Sequence, residues 1–231
     1  MRAFAALIDA LAFTRSRNAK LKLVGEYLRT APDPDRGWAL AALTGELDFP
    51  AVKSASIRAI LQTRVDPVLY ALSRDYVGDT AETASLLWPE PHGRTEPPPG
   101  LAEAVDRLHA MTRASVAHDL PALLDRLDTS GRYALLKLAT GALRIGVSAR
   151  LAKLAFAQAF GVAEGDVEEY WHGLSPPYEA LFAWAAEGGP VPVAGDAPLF
   201  RPFMLAHPLG AERVDLADYA AEWKWDGIRV Q

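Results

Sequence analysis

The sequence predicts a mainly α-helical fold followed by a short β segment. Apolar residues recur at helical spacing from residue 4 to residue 186, and capping residues stand before several of these runs. After residue 190 the composition changes, first to Pro, Gly and Ala and then to aromatic and β-branched residues, which favour strands. Half of the 231 residues are hydrophobic, so the chain has ample material for a core.

The helices of the N-terminal half are predicted from apolar spacing and from start signals. The first two rest on apolar residues that share one helical face: Phe4, Leu7, Ile8 and Leu11, then Leu21, Val24 and Leu28. Asp33 and Asp66 each precede a proline, which predicts a capping acid with proline at the first helical position. Asp79 and Glu82 have the capping-box spacing and predict a helix that runs through Leu87.

Residues 88–100 form a proline-rich loop that neither a helix nor a central strand could contain. The loop divides the helical part into two halves rather than into independent domains. We therefore predict a helical domain at 1–189, a linker at 190–200 and the start of another domain at 201–231. Helices of the second half are predicted over residues 101–109, 116–127, 132–143, 148–160, 166–172 and 178–186.

Charge is segregated along the chain, although the net charge is only −5. Residues 1–30 contain six basic residues and only two acids, and residues 131–160 contain basic residues and no acid. Residues 161–189 contain acids and neither Lys nor Arg. This pattern is expected if one face of the protein meets a polyanion. Ordinary solvated helix faces are the alternative interpretation.

Composition also excludes several classes of protein. With no cysteine, the chain has no disulfide framework and no thiolate metal site, which fits a reducing cytosol. No apolar run approaches the roughly 20 residues of a membrane span, so a soluble cytoplasmic protein without a membrane partner is predicted. The five histidines are scattered, and no metal ligand is predicted among them. Nothing in the sequence indicates an oligomer.

A basic segment between two predicted helices carries the first candidate binding residues. Gly141 and Gly146 would let the backbone approach a ligand closely. Ser148 is placed to cap the next helix, whose N-terminal amides favour a phosphate. Arg144 and Arg150 could add charge-assisted hydrogen bonds to phosphate oxygens. A tight helix-to-helix turn with incidental arginines is the alternative.

The second candidate site lies in residues 222–231. On a strand, Glu222, Lys224 and Asp226 would share one face, while Gly227 would free the backbone for a turn. Arg229 could direct its donors to phosphate or ribose oxygens. A nucleophilic lysine must lose a proton whose pKa starts at about 10.4, which requires burial, a cationic neighbour or a metal to lower that pKa. A plain β-hairpin with an Asp-Gly turn is the alternative.

Four segments resemble one enzyme family. Residues 224–229, Lys-x-Asp-Gly-x-Arg, resemble the nucleotide-binding motif of the covalent nucleotidyltransferases. Residues 143–147, Leu-Arg-Ile-Gly-Val, and residues 76–84, which include Gly-Asp-Thr-Ala-Glu, resemble the helical DNA-binding domain of ATP-dependent DNA ligases. Residues 201–206 resemble the approach to their nucleotidyltransferase (adenylation) domain. These segments span nearly the whole chain and follow each other in the same order as in the family. The chain most resembles the bacterial members that carry an N-terminal helical domain.

The resemblance implies a catalytic role for the second site. Lys224 matches the lysine that attacks the α-phosphate of ATP and becomes adenylylated, with ATP and Mg²⁺ as cofactors of the complete enzyme. Glu222 matches an adenine-recognising position, and Arg229 matches the arginine near the ribose and the nick phosphate. Asp226 and Gly227 complete the motif and shape its turn.

The resemblance also implies that the helical domain holds nicked double-stranded DNA by its backbone, without sequence preference. The matching residues are Gly78, Thr80, Thr83, Lys137, Arg144, Gly146, Ser148 and Arg150. The family's remaining catalytic motifs would lie beyond Gln231, so 201–231 is expected to be a truncated start of the adenylation domain. We therefore expect the N-terminal portion of a nick-sealing ligase, which alone neither ligates nor binds ATP stably. The alternative is a stand-alone, non-enzymatic DNA-binding or protein-interaction helical domain.

Overall fold

The computed structural model describes residues 1–192, except residues 92, 94, 95 and 142, together with residues 217 and 223. This described part contains twelve α-helices and no strand, which confirms the predicted mainly α class. The expected β segment and most of the linker lie outside the described residues. The helices are α1 Arg2–Phe13, α2 Arg17–Thr30, α3 Asp35–Thr44, α4 Ser54–Gln62, α5 Pro67–Val77, α6 Thr80–Leu87, α7 Leu101–Ala110, α8 Val116–Leu124, α9 Thr129–Ala139, α10 Ala149–Phe160, α11 Glu164–Trp171 and α12 Glu179–Glu187.

Two of the three predicted capping acids are confirmed. The carboxylate of Asp66 accepts hydrogen bonds from the first turn of α5, which has proline at its start, and Asp79 accepts one from the backbone of Glu82 in α6. The prediction for Asp33 is wrong. Its carboxylate binds Arg36 at 2.5 Å, and α3 begins after Pro34 instead.

Some helix boundaries also differ from the prediction. Helix α4 was not predicted, although Ile57, Ile60 and Leu61 have helical spacing and are buried. Helix α9 starts and ends before its predicted limits of 132 and 143. Asp128 caps its N-terminus by accepting from the backbone of Gly131 at 2.8 Å. The earlier end of α9 leaves a longer connection to α10 than the sequence indicated.

Helices α2 and α10 pack closely and run parallel to each other. Near the start of α2, the side chain of Lys20 reaches the carbonyl of Ile145, shortly before α10 begins. Near its end, Arg29 lies 3.5 Å from the carbonyl of Ala159. Gly25 permits this approach, because a Cβ at that position would lie 3.3 Å from Cβ of Ala159. The parallel arrangement places both helix N-termini at the same edge of the molecule.

A cluster of charged residues, here called the loop anchor, holds the proline-rich loop. It comprises Arg64, Asp125, Arg126 and Arg132. Asp125 accepts a 2.7 Å hydrogen bond from the Trp88 indole, and Arg126 donates to the carbonyl of Pro97. Both ends of the loop are therefore fixed to the connection between α8 and α9. No helix in the described residues is long and apolar enough to cross a membrane.

Candidate nucleic-acid interface

The connection between α9 and α10, residues 140–148, is here called the link. Arg144, Gly146 and Ser148 are exposed, whereas Ile145 between them is buried and holds the link to the core. Arg144 has φ of 41°, a left-handed conformation that costs a non-glycine residue about 1–3 kcal/mol. The surrounding structure must therefore hold the link in this shape.

Lys20 of α2 holds the link from the core side. Its ammonium is buried and donates a hydrogen bond to the carbonyl of Ile145. Gly146 has φ of 67° and passes so close to that ammonium that a Cβ would collide with it. Its backbone angle favours glycine here, and a Cβ would displace the Lys20 ammonium from its place on the link. Ile145 and Gly146 are consequently held in place before any ligand arrives.

Both helices that begin beside the link are capped by serine. Ser16 accepts a hydrogen bond from the backbone of Ala19 at 3.3 Å, and Ser148 accepts one from Leu151 at 3.2 Å, as predicted for Ser148. Neither helix has an acid in its first turn. Their amide dipoles therefore add partial positive charge at this edge.

Arg150 extends the positive edge at the start of α10. Its side chain is 83% exposed, and its Nε lies 3.4 Å from Glu164 of α11. At this exposure the pair is weak, because solvent screens it. The guanidinium of Arg150 can therefore exchange Glu164 for a stronger anion such as a phosphate.

The second predicted DNA-binding segment lies between α5 and α6. Gly78 ends α5 in the left-handed conformation, with φ of 80°, and is exposed. Thr80 accepts a 3.1 Å hydrogen bond from Arg74. Thr83 is fully buried, and its hydroxyl donates to the carbonyl of Asp79. Of the three predicted residues in this segment, Thr83 is therefore placed to support α6 rather than to touch a ligand directly.

An ion pair brings the two predicted segments to the same end of α9. Lys137, in the last turn of α9, is buried and donates to Asp79 at 2.9 Å. Burial would raise the pKa of Asp79, but hydrogen bonds from the Glu82 backbone and from Lys137 outweigh it and leave that pKa below its usual value. Lys137 was predicted to contact DNA, and the structure places its ammonium on Asp79 instead of at the surface.

The segregation of charge in the sequence is largely lost in the folded chain. Arg132 is buried against Glu90 and the carbonyl of Leu124, and Lys153 binds Glu168 of α11 at 2.5 Å. The packing of α10 against α11 therefore places acids from 161–189 on cations from 131–160. These buried cations therefore do not belong to a face that could meet a polyanion. Arg144 and Arg150 are exposed, and their part in such a face remains a prediction.

A basic stripe on α2 was not predicted as part of a site. Arg17, Lys22 and Arg29 are exposed on the side of α2 that borders α10. The sequence showed that residues 1–30 are basic, but it did not show that α10 lies beside them. The seven-residue spacing of Lys22 and Arg29, which places them on one helical face, was the signal that could have identified the stripe.

The predicted catalytic and nucleotide-binding residues lie outside the described residues. These are Lys224, Glu222, Asp226, Gly227 and Arg229, and each role remains a prediction. Among the residues that the structure describes, no group of three or more His, Asp or Glu side chains could hold a metal ion.

One known protein is similar to this chain over its whole length. The chain is 28% identical over 249 residues to DNA ligase 1 of Korarchaeum cryptofilum (strain OPF8). The match covers 100% of this chain and 44% of the archaeal protein, so the chain spans less than half the length of that relative. No protein-family model matches the chain. The similarity supports a relationship to the DNA ligases.

Proposed function

We propose that this chain is part of an ATP-dependent DNA ligase of bacterial type, and that residues 1–189 are its DNA-binding domain. One observation carries the proposal: the fold gathers exposed Arg144 and Arg150, the ordered link and two parallel helix N-termini at one edge. The relative named DNA ligase 1 supports the same assignment. We call this edge, from the link to the first turns of α2 and α10, the link edge.

The chemistry of the link edge suits phosphate rather than bases. Arginine provides a planar fork of donors, and the amide dipoles at a helix start favour anions. Such contacts position a duplex without reading its sequence. Because Lys20 already holds the link, little conformational entropy is lost when DNA binds. The edge should therefore bind duplex DNA of any sequence, with strong dependence on salt.

The segment between α5 and α6 would supply a second backbone contact. Gly78 exposes its backbone, and Asp79 fixes the segment to the last turn of α9 through Lys137. In this proposal Gly78 and Thr80 approach the duplex, whereas Lys137 and Thr83 position the segment from inside the fold. The two predicted segments would thus hold neighbouring parts of one nicked duplex.

The catalytic part of the proposal rests on the motif in residues 224–229 and on the relative's name. Lys224 would carry the adenylyl group after attack on ATP, in the presence of Mg²⁺. Glu222 would recognise the adenine and Arg229 the ribose and nick phosphate, while Asp226 and Gly227 would shape the turn. The reaction of the complete enzyme would then be the sealing of nicks.

Duplex binding by the 231-residue chain tests the DNA-binding proposal. Fluorescence anisotropy with a labelled nicked duplex should give an affinity that falls as salt rises. Replacing Arg144→Glu and Arg150→Glu together should weaken binding at least about tenfold and lower the log–log salt slope by about 2.

The matched control reverses two exposed arginines elsewhere, Arg58→Glu in α4 and Arg113→Glu between α7 and α8. The control applies the same change in net charge, so it measures the general electrostatic effect. If the control weakened binding as much as the link-edge variant did, the assignment of the link edge would be wrong. Unchanged binding in the link-edge variant would have the same meaning.

A further inference from the structure

A groove runs between α2 and α10, beginning at the link edge. Its volume is about 460 Å³. Gly25, Ala155 and Ala159 form part of its floor, and the side chain of Arg29 reaches the carbonyl of Ala159 at one end. We call it the α2/α10 groove.

The rim of the α2/α10 groove is basic. Arg17, Lys22 and Arg29 lie along it, with the polar side chains of Asn18 and Gln158 between them. Within the part of the chain that the structure describes, none of the three cations forms an ion pair. No acid lines the groove. Unlike the buried cations of α9 and α10, these three keep their charge available at the surface.

Two of the three cations, Lys22 and Arg29, lie on one helical face, whereas Arg17 stands five residues before Lys22 and lies off that face. Asn18, Lys22, Gly25 and Arg29 succeed each other at intervals of four, three and four residues, which forms a single stripe. Lys22 and Arg29 are therefore separated by about 10 Å along α2, at about 1.5 Å per residue. Phosphates of one B-DNA strand follow each other every 3.4 Å or so along the axis, so this separation corresponds to about three of them.

The groove is continuous with the link edge. Arg17 is the first residue of α2, and Lys20, three residues later, binds the link. From Arg17 to Arg29 the helix rises about 18 Å, which corresponds to about five base pairs of duplex. A duplex that leaves the link edge along α2 would thus meet a further row of positive charge.

We propose that the α2/α10 groove is a second backbone-binding track, which carries the duplex for about five base pairs beyond the link edge. This inference rests on the proposed function, since the link edge sets where the track begins. A basic rim above a floor of small residues fits a phosphate backbone. An acidic protein segment would be the competing occupant. The placement of Lys22 and Arg29 on one face, about three phosphates apart, favours the nucleic acid.

Two neutral substitutions test the track, Lys22→Gln and Arg29→Gln in one chain. On a duplex of about 24 base pairs, this variant should lose about tenfold in affinity and about 2 in salt slope. On a duplex of about 8 base pairs, which only the link edge would fill, its affinity should match that of the unaltered chain. A control with Arg58→Gln and Arg113→Gln should leave both affinities unchanged, and thermal melting should show that all variants fold.

The outcomes separate this inference from the proposed function. If the groove variant kept full affinity for the long duplex while Arg144→Glu with Arg150→Glu lost it, the track would be wrong and the link edge would stand. If neither variant changed binding, the track and the link edge would both be wrong. If the groove variant lost binding of a polyglutamate peptide and kept binding of the long duplex, the groove would be a protein-docking site and the track would be overturned.

Discussion

The link edge and the loop anchor both contain several arginines, yet the fold uses them in opposite ways. In the loop anchor, Arg126 binds Glu103 at 2.6 Å and the carbonyl of Pro97, while Arg132 is 1% exposed and binds Glu90. At the link edge, Arg144 and Arg150 are exposed, and the one ion pair among them in the described residues is the weak pair with Glu164.

The difference shows that the number of cations in a segment does not reveal its role. Where acids and carbonyls from other elements surround an arginine, they accept hydrogen bonds from it and it contributes to stability, as Nε and Nη1 of Arg132 show. Where an arginine is held in a left-handed backbone conformation at the surface, the fold supports a costly geometry that stability alone does not need. We therefore expect mutations to separate stability from DNA binding.

The largest expected effect is the loss of stability when the loop anchor is broken. Arg132→Ala removes a buried side chain and leaves the carbonyl of Leu124 without its donor. We expect the free energy of unfolding to fall by about 3 kcal/mol. Chemical denaturation monitored by circular dichroism would measure this change.

The matched substitution at the link edge is Arg150→Ala. Because Arg150 is exposed, the free energy of unfolding of this variant should differ from that of the unaltered chain by no more than about 0.5 kcal/mol, while its duplex affinity falls. At a temperature where both variants are folded, Arg132→Ala should bind duplex DNA normally. The reverse pattern, with normal stability in Arg132→Ala, would remove the distinction between the two regions.

A smaller effect is expected at Lys20, which acts on DNA only through the link. Lys20→Met keeps most of the side-chain volume and removes the donor to Ile145. We expect about fivefold weaker duplex binding, because the link loses its preorganised shape. In a chain that already carries Arg144→Gln, the same substitution should weaken binding much less.

The control for Lys20→Met is Lys153→Met, which removes another buried lysine and its ion pair with Glu168. This control should lose stability without the fivefold loss of affinity. Equal and additive losses of affinity for Lys20→Met with and without Arg144→Gln would show that Lys20 only stabilises the fold.

Local signals in the sequence predicted much of the fold. Asp66, Asp79 and Ser148 could be identified as caps because a cap and its helix are adjacent in sequence. Asp33 could not be assigned correctly, because its carboxylate can either accept from the amides of a helix start or pair with Arg36, and the sequence does not show which. Helix α4 could have been predicted as well, because Ile57, Ile60 and Leu61 have helical spacing.

The candidate site was predictable only in part. The exposed Arg144 and the cap Ser148 lie in one short segment, so their association was visible in the sequence. The hydrogen bond from Lys20 to Ile145 joins residues that lie 125 apart. The pair of Lys137 with Asp79 spans 58 residues. Such contacts depend on how helices pack, which local spacing does not specify.

Hydrogen exchange measured by mass spectrometry, with and without duplex DNA, tests the central claim most directly. We predict slower exchange in residues 143–151 and in α2 when duplex is bound, with no change in residues 96–100 or in residues 125–132, which hold the loop. The same experiment with Arg144→Glu and Arg150→Glu should show no protection at the same concentrations. Protection concentrated at the loop anchor, with none at the link edge, would contradict the account.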